Sequence, residues 1–114
     1  MEGCGNIKLY RSTRWRHKRE QILRRDSYID QEERRYGRMV EAQTVHHIFP
    51  VGDYPEYAWE DWNLISLTNA NHDRMHDRTT NELTARGVEL LCRTARKYGI
   101  PIPAKYGGGD SDAS

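Results

Sequence analysis

The chain has 114 residues, enough for one domain with a modest core and too few for two. Its 18 basic and 17 acidic residues leave a formal charge of +1, so net charge names no partner. Cys4 and Cys92 are far apart and form no Cys-x-x-Cys unit, so nothing suggests a disulfide framework, and no apolar run approaches the roughly 20 residues of a membrane helix.

Residues 1–8 carry small side chains without periodicity and read as a loose arm with no signal-peptide pattern. Ser12 or Thr13 can cap a helix in which Trp15, Arg19, Ile22 and Leu23 fall at helical spacing and bury one side. From Lys8 to Arg25 the basic residues are Lys8, Arg11, Arg14, Arg16, Lys18, Arg19, Arg24 and Arg25, opposed by the lone acid Glu20. A charge run is usually a solvated face, but the lack of interleaved acids favours a polyanion here.

Residues 26–38 are polar and close on a turn at Tyr36-Gly37. Met39, Val40 and Ala42 predict a short strand, with Val45 to Phe49 as the second strand of a hairpin that Pro50 ends. Tyr54, Pro55, Tyr57, Trp59 and Trp62 mark an aromatic loop whose rings serve a small core rather than a binding surface. Leu64 to Leu67 is a brief extended step, after which Thr68 or Asn69 caps a helix running towards Asp77. Thr84 caps a last helix with Val88, Leu91, Ala95 and Tyr98 as its apolar stripe, and Gly99 with Pro101 stops it. Residues 107–114 form a polar Gly/Asp/Ser tail. The division expected is an arm at 1–8, a single domain at 9–99 and an extension at 100–114. Without leader or membrane span, the chain reads as cytoplasmic, with reduced thiols.

Four of the five histidines fall between Thr44 and Asp77. His72 and His76 are four apart, so on a helix they share a face and can share a ligand. His46 and His47 are adjacent, so on a strand they point to opposite sides, and one can reach a metal while the other faces a substrate. Three imidazoles on a metal and a fourth free to take a proton make a hydrolytic site. His72-Asp73-Arg74-Met75-His76 also sits near the zinc-protease pattern, but Asp73 is one methylene shorter than the glutamate that pattern needs.

The window Val45-His46-His47-Ile48-Phe49-Pro50, Asn63-Leu64-Ile65-Ser66-Leu67 and Asn71-His72-Asp73-Arg74-Met75-His76-Asp77 resembles the HNH nuclease motif in its His-His form. That form occurs in colicin DNases and many phage HNH proteins. Tyr10-x-Ser12, Trp15, Arg19, Leu23, Arg25-Asp26 and Tyr28 look like the N-terminal helix of small phage members, and Arg86 to Leu91 like their C-terminal helix. The resemblance implies an α+β fold: a ββα-metal core, hairpin plus metal helix, flanked by an N-terminal basic helix and a C-terminal helix. It implies that His47 is the general base, that Asn63 braces the loop that orients it, and that His46, His72 and His76 hold one divalent metal. Three imidazoles favour zinc for occupancy, while magnesium, manganese or nickel remain candidates for activity. Arg19, then Arg14, Lys18 and Arg74, are the candidate DNA contacts.

The sequence departs from the family at one place. Many phage members hold a structural zinc with two Cys-x-x-Cys pairs, which align here with Asp30 and Glu33 and with Thr68 and Asn71. Without thiolates no structural zinc is expected. Such an ion can supply on the order of 10 kcal/mol of folding free energy, so hydrogen bonds from Thr68, Asn71 or arginines to Asp30 and Glu33 are the expected replacement.

The function implied is single-metal hydrolysis of DNA phosphodiesters, in a phage setting and beside a terminase in genome packaging. The alternative is a non-catalytic DNA-binding or packaging accessory module that keeps the fold. Retention of His47 together with the ligand set weighs against the alternative. No heptad or exposed apolar stripe declares an oligomer.

Overall fold

A computed structural model describes residues 8–108. The arm before Lys8, with Cys4, and the tail from Gly109 onward lie outside the described residues. The chain divides into two compact units, Met1–His72 and Asp73–Ser114.

The first unit is built on helix α1, Thr13–Arg25. Ser12 is its N-cap, with its Oγ accepting from the Trp15 amide at 3.0 Å, and Arg24 and Arg25 sit in its last turn, where cations complement the helix dipole. The helix ends without a glycine: Ser27 and Tyr28 both take φ 58, and the Tyr28 amide folds back to the Leu23 carbonyl at 2.8 Å. Asp30 then caps a one-turn helix α2, Gln31–Arg34, accepting from the Glu33 amide. The polar composition of that segment concealed this helix, which forms because a buried carboxylate supplies its cap.

The strands are β1, Thr44–His47, and β2, Leu64–Leu67, paired antiparallel with Thr44 opposite Leu67 and His47 opposite Leu64. The hairpin core expected from the sequence is present, but the partner of β1 is the later Leu64–Leu67 step and not residues 39–42. Those residues lean on the turn after α1. The Asp30 amide donates to the Val40 carbonyl and the Ala42 amide to Tyr28, through a single Ile29–Glu41 bridge. Met39 and Val40 are therefore exposed.

Trp15, Ile22 and Leu23 of α1 pack with Ala42, Val45 and Leu64, with Leu9 and Trp59 against their edge. Each large apolar side chain buried this way contributes about 1.5–3 kcal/mol. A second aromatic group forms in the long β1–β2 connection. Phe49 meets Tyr54, Tyr57 and Trp62 edge-on, at centroid distances of 5.3, 5.2 and 5.6 Å. The aromatic loop thus fills a core, as its composition predicts. The short helix α3, Asn69–Asp73, follows β2, with the Thr68 Oγ1 accepting from the Asn71 amide at 3.0 Å.

The expectation of a helix reaching Asp77 is corrected: α3 stops at Asp73. In the second unit the carbonyls of Arg74 and Met75 accept from the Thr84 hydroxyl and amide, at 2.5 and 2.9 Å, in place of helical amides. His76 instead bridges Leu83 across a tight loop, where the Asp77 carboxylate accepts from the Thr79 and Thr80 amides.

Helix α4, Ala85–Tyr98, is capped by Thr84 and closed by Gly99 in the left-handed region at φ 70. Its buried face is Gly87, Leu90, Leu91, Thr94 and Ala95. The stripe is therefore rotated from the expected one, and Tyr98 is exposed. Gly87 fixes this rotation, because a Cβ there would stand 2.5 Å from the Met75 carbonyl oxygen. Among the described residues no helix is long and apolar enough to cross a membrane.

Candidate metal centre and general base

The pleat of β1 separates its two histidines. His46 and His47 are both buried, yet their rings meet different partners. The His46 ring lies edge-on to His72 of α3, with centroids 5.2 Å apart. The His47 ring stacks on Trp15 of α1, at 5.1 Å and 23° between planes.

His46, His72 and His76 each offer one ligand atom, and the three atoms lie within 4.8 Å of one another. Three imidazoles on a partly buried surface suit a divalent transition ion and leave coordination positions open, as a catalytic site requires. The residues fit the group. His76 comes from the extended segment after α3, not from a second turn of that helix, so the helical i, i+4 spacing expected for His72 and His76 is not how the two are placed.

His47 has both ring nitrogens engaged. Nε2 lies 3.0 Å from the Ala58 carbonyl oxygen, which can only accept, so Nε2 carries the proton. That leaves the lone pair on Nδ1, where the Tyr10 hydroxyl donates at 3.0 Å. Burial pushes the His47 pKa below the ordinary imidazole value. The Ala58 hydrogen bond works against that shift and the charge of His72 adds to it. The imidazole is thus neutral at neutral pH, the form a base needs.

Asn63 is fully buried and ties the β1–β2 connection together. Its Oδ1 accepts from the Phe49 amide at 2.6 Å, while its Nδ2 donates to the carbonyls of Phe49 and Tyr57 at 3.2 and 3.1 Å. The turn so held also carries Ala58, the acceptor that orients His47.

The four candidate DNA contacts differ in their surroundings. Arg14 lies over the Trp59 ring at 3.8 Å, a cation–π contact that leaves the residue exposed. Lys18 pairs with Asp61, and Arg19 donates to the Gln43 carbonyl at 2.7 Å. Arg74 lies in the second unit and is exposed. Arg11 and Arg16 also stand exposed beside the cap and first turn of α1. Arg25, by contrast, is structural. It holds Asp26 through Nε and Nη2, and reaches the Asp61 and Leu64 carbonyls at 2.8 and 2.7 Å.

At the positions that align with the family's zinc thiolates, a hydrogen-bonded knot stands. Asp30, fully buried, accepts from the Thr68 amide at 2.7 Å and from Asn71 Nδ2 at 2.8 Å. The same Asn71 nitrogen donates to Glu33 at 3.0 Å, and Glu33 also pairs with Arg38 at 2.6 Å. The knot pins α2 to the β2–α3 junction, and with it Asn71 in the helix that bears His72.

Sequence reasoning missed Tyr10 as a site residue, since it registered only as part of a family pattern. Its one local signal is its position two residues before the N-cap Ser12, on a turn held by Ser12 bonding back to the Leu9 carbonyl through both amide and hydroxyl.

An antiparallel strand pair followed by a short helix, with histidines on strand and helix converging on a metal, defines the ββα-metal class. No family model and no curated protein matches the chain. Among solved structures it is similar to the HNH endonuclease of the deep-sea thermophilic bacteriophage GVE2, crystallised with manganese ion. The identity is 27%, the match covers 64% of this chain and 79% of that one, and the TM-score is 0.61. In fold and in its histidine cluster the chain resembles the HNH endonucleases.

Proposed function

We propose that this protein is an endonuclease that hydrolyses DNA phosphodiester bonds with one divalent metal and His47 as general base. The observation that carries the reading is the division of labour on β1. His46 faces His72 in the histidine cluster, while His47 is held on the other side with Nδ1 as its basic nitrogen. The likeness to a crystallised HNH endonuclease supports it.

A phosphodiester resists attack because its charge repels nucleophiles and its leaving group is poor. Hydrolysis needs a deprotonated water, a cation against the charge that grows in the transition state, and help for the departing oxygen. His46, His72 and His76 would hold the metal, which would supply that positive charge. His47 draws the proton from water, and its task is matched by a neutral ring of fixed tautomer. Asn63 holds the turn that fixes this tautomer through Ala58. Arg14, Lys18, Arg19 and Arg74 are the proposed phosphate contacts, with Arg14 best placed as a cation exposed on α1. Three imidazoles favour zinc for occupancy, and manganese, nickel or magnesium are the candidates for turnover. The proposal extends to cutting concatemeric phage DNA beside a terminase in the host cytoplasm, on the strength of the resemblance to small phage proteins.

The test is cleavage of supercoiled plasmid by wild type and His47→Ala with manganese, magnesium, zinc, nickel or EDTA, with metal content measured on the same samples. Metal-dependent nicking or linearisation by wild type, lost in a mutant that still binds metal, is the expected result. A wild type that binds metal and DNA but cuts under no ion overturns the reading.

A further inference from the structure

Resting on the endonuclease reading, we propose that Tyr10 is a second catalytic residue, its hydroxyl relaying the proton of the attacking water to Nδ1 of His47. The argument is one of access. His47 is only 5% exposed, its Nε2 is committed to the Ala58 carbonyl, and its Nδ1 faces the Tyr10 hydroxyl. Tyr10 is 42% exposed and, with Trp15, Arg19, Thr44, Val45 and His72, lines an open cleft. His47 does not line it. A water entering from the His72 side therefore meets the phenol before it can meet the imidazole.

Only a hydroxyl can serve there, because it accepts and donates through the same oxygen. A phenol is protonated at neutral pH, so the bond to Nδ1 keeps its direction. The ring is also fixed: Tyr10 stands edge-on to Trp15, with centroids 5.2 Å apart and 77° between planes. That same Trp15 stacks on His47, so one indole sets the distance between relay and base.

The step balances. The water oxygen forms its bond to phosphorus as one water proton passes to the Tyr10 oxygen and the Tyr10 proton passes to Nδ1. The bond from phosphorus to the leaving oxygen breaks, and that oxygen takes a proton from solvent. His47, now doubly protonated, returns its proton to Tyr10 and through it to solvent, which restores both groups.

Tyr10→Phe removes the hydroxyl and keeps the ring. With the metal-loaded full chain on plasmid DNA, kcat should fall at least tenfold, with KM, metal content and melting temperature unchanged. Tyr10→Phe combined with His47→Ala should be no slower than His47→Ala alone, since the relay has nowhere to deliver. Independently of turnover, the nitrogen spectrum of the His47 ring should show protonated Nε2 and bare Nδ1, and Tyr10→Phe should shift Nδ1. An active wild type whose Tyr10→Phe variant cuts equally fast sinks the relay and spares the endonuclease reading. A faster variant shows instead that the hydroxyl caps the base. A His47 ring protonated on Nδ1 overturns the relay whatever the rates, and a wild type inert with every ion removes the reading and the relay together.

Discussion

His46 and His47 are neighbours of identical chemistry, and β1 makes them opposites. His46 faces His72 and joins a group of converging ligand atoms. His47 stacks on Trp15, and each of its nitrogens has one partner. The difference teaches that residue type supplies a capacity and the pleat chooses which capacity is used. A ring whose hydrogen bonds fix its tautomer is prepared to move a proton, while rings whose ligand atoms converge are prepared to hold a cation.

Mutation of each neighbour is the sharpest way to break that contrast. His47→Ala should lower kcat on plasmid by about 10²–10⁴-fold, the usual range for general acid–base catalysis, and leave metal content unchanged. His46→Ala should lose metal and activity together, as read by elemental analysis of the purified proteins. If His47→Ala also loses its metal, the two faces are not separate.

A second polar cluster extends the comparison. The Asp30–Glu33–Thr68–Asn71 knot turns its donors and acceptors on one another, which is the arrangement of a structural element. Asp30→Ala would strip acceptors from the Thr68 amide, the Glu33 amide and Asn71 at a fully buried point. The expected loss is about 3 kcal/mol by urea denaturation, since bonds to a charged acceptor are worth roughly 1.5–3 kcal/mol each and neighbours relax in part. Metal stoichiometry at the histidines should survive in the folded fraction.

The pH dependence separates the clusters in another way. Because burial holds the His47 pKa below its ordinary value, the acid limb of the rate profile should fall below about pH 6.5, the unperturbed imidazole value. The sign for stability follows. The unfolded chain binds a proton at His47 below about pH 6.5 while the folded chain does not, so stability contributed by this residue is present above that value and lost as pH falls towards the folded pKa. An acid limb at or above the ordinary value would show that the buried ring does not set the rate.

The smallest effect belongs to the surface. Lys18→Ala breaks an ion pair in which Asp61 is 59% exposed, so melting should change by less than about 1 kcal/mol. Its effect on DNA affinity, read by the salt dependence of binding, decides whether Lys18 serves the fold alone or also a phosphate.

Much of this was legible in the chain. Ser12, Thr68, Thr84 and Gly99 act through bonds to amides or carbonyls a few residues away, or through local backbone conformation, so their roles follow from their positions. The alternation that sets His46 and His47 on opposite sides of β1 is local in the same way, whereas the i, i+4 reading of His72 and His76 assumed a helix that ends at Asp73; Asp30 and Glu33 pointed to hydrogen bonds from Thr68 and Asn71. Three features were decided by the tertiary structure. The partner of β1 depends on which extended segment can complete the core with Val45 and Trp15, and Leu64 does so while the exposed Met39 and Val40 do not. The end of α3 depends on Thr84, ten residues on, taking the Arg74 carbonyl that another helical turn would need. The tautomer of His47 depends on Ala58 and Tyr10, eleven and 37 residues away in sequence, meeting one ring from two sides. Local hydrogen bonds and periodicity leave a trace in the residue string; a choice among distant partners is settled only when the core closes around them.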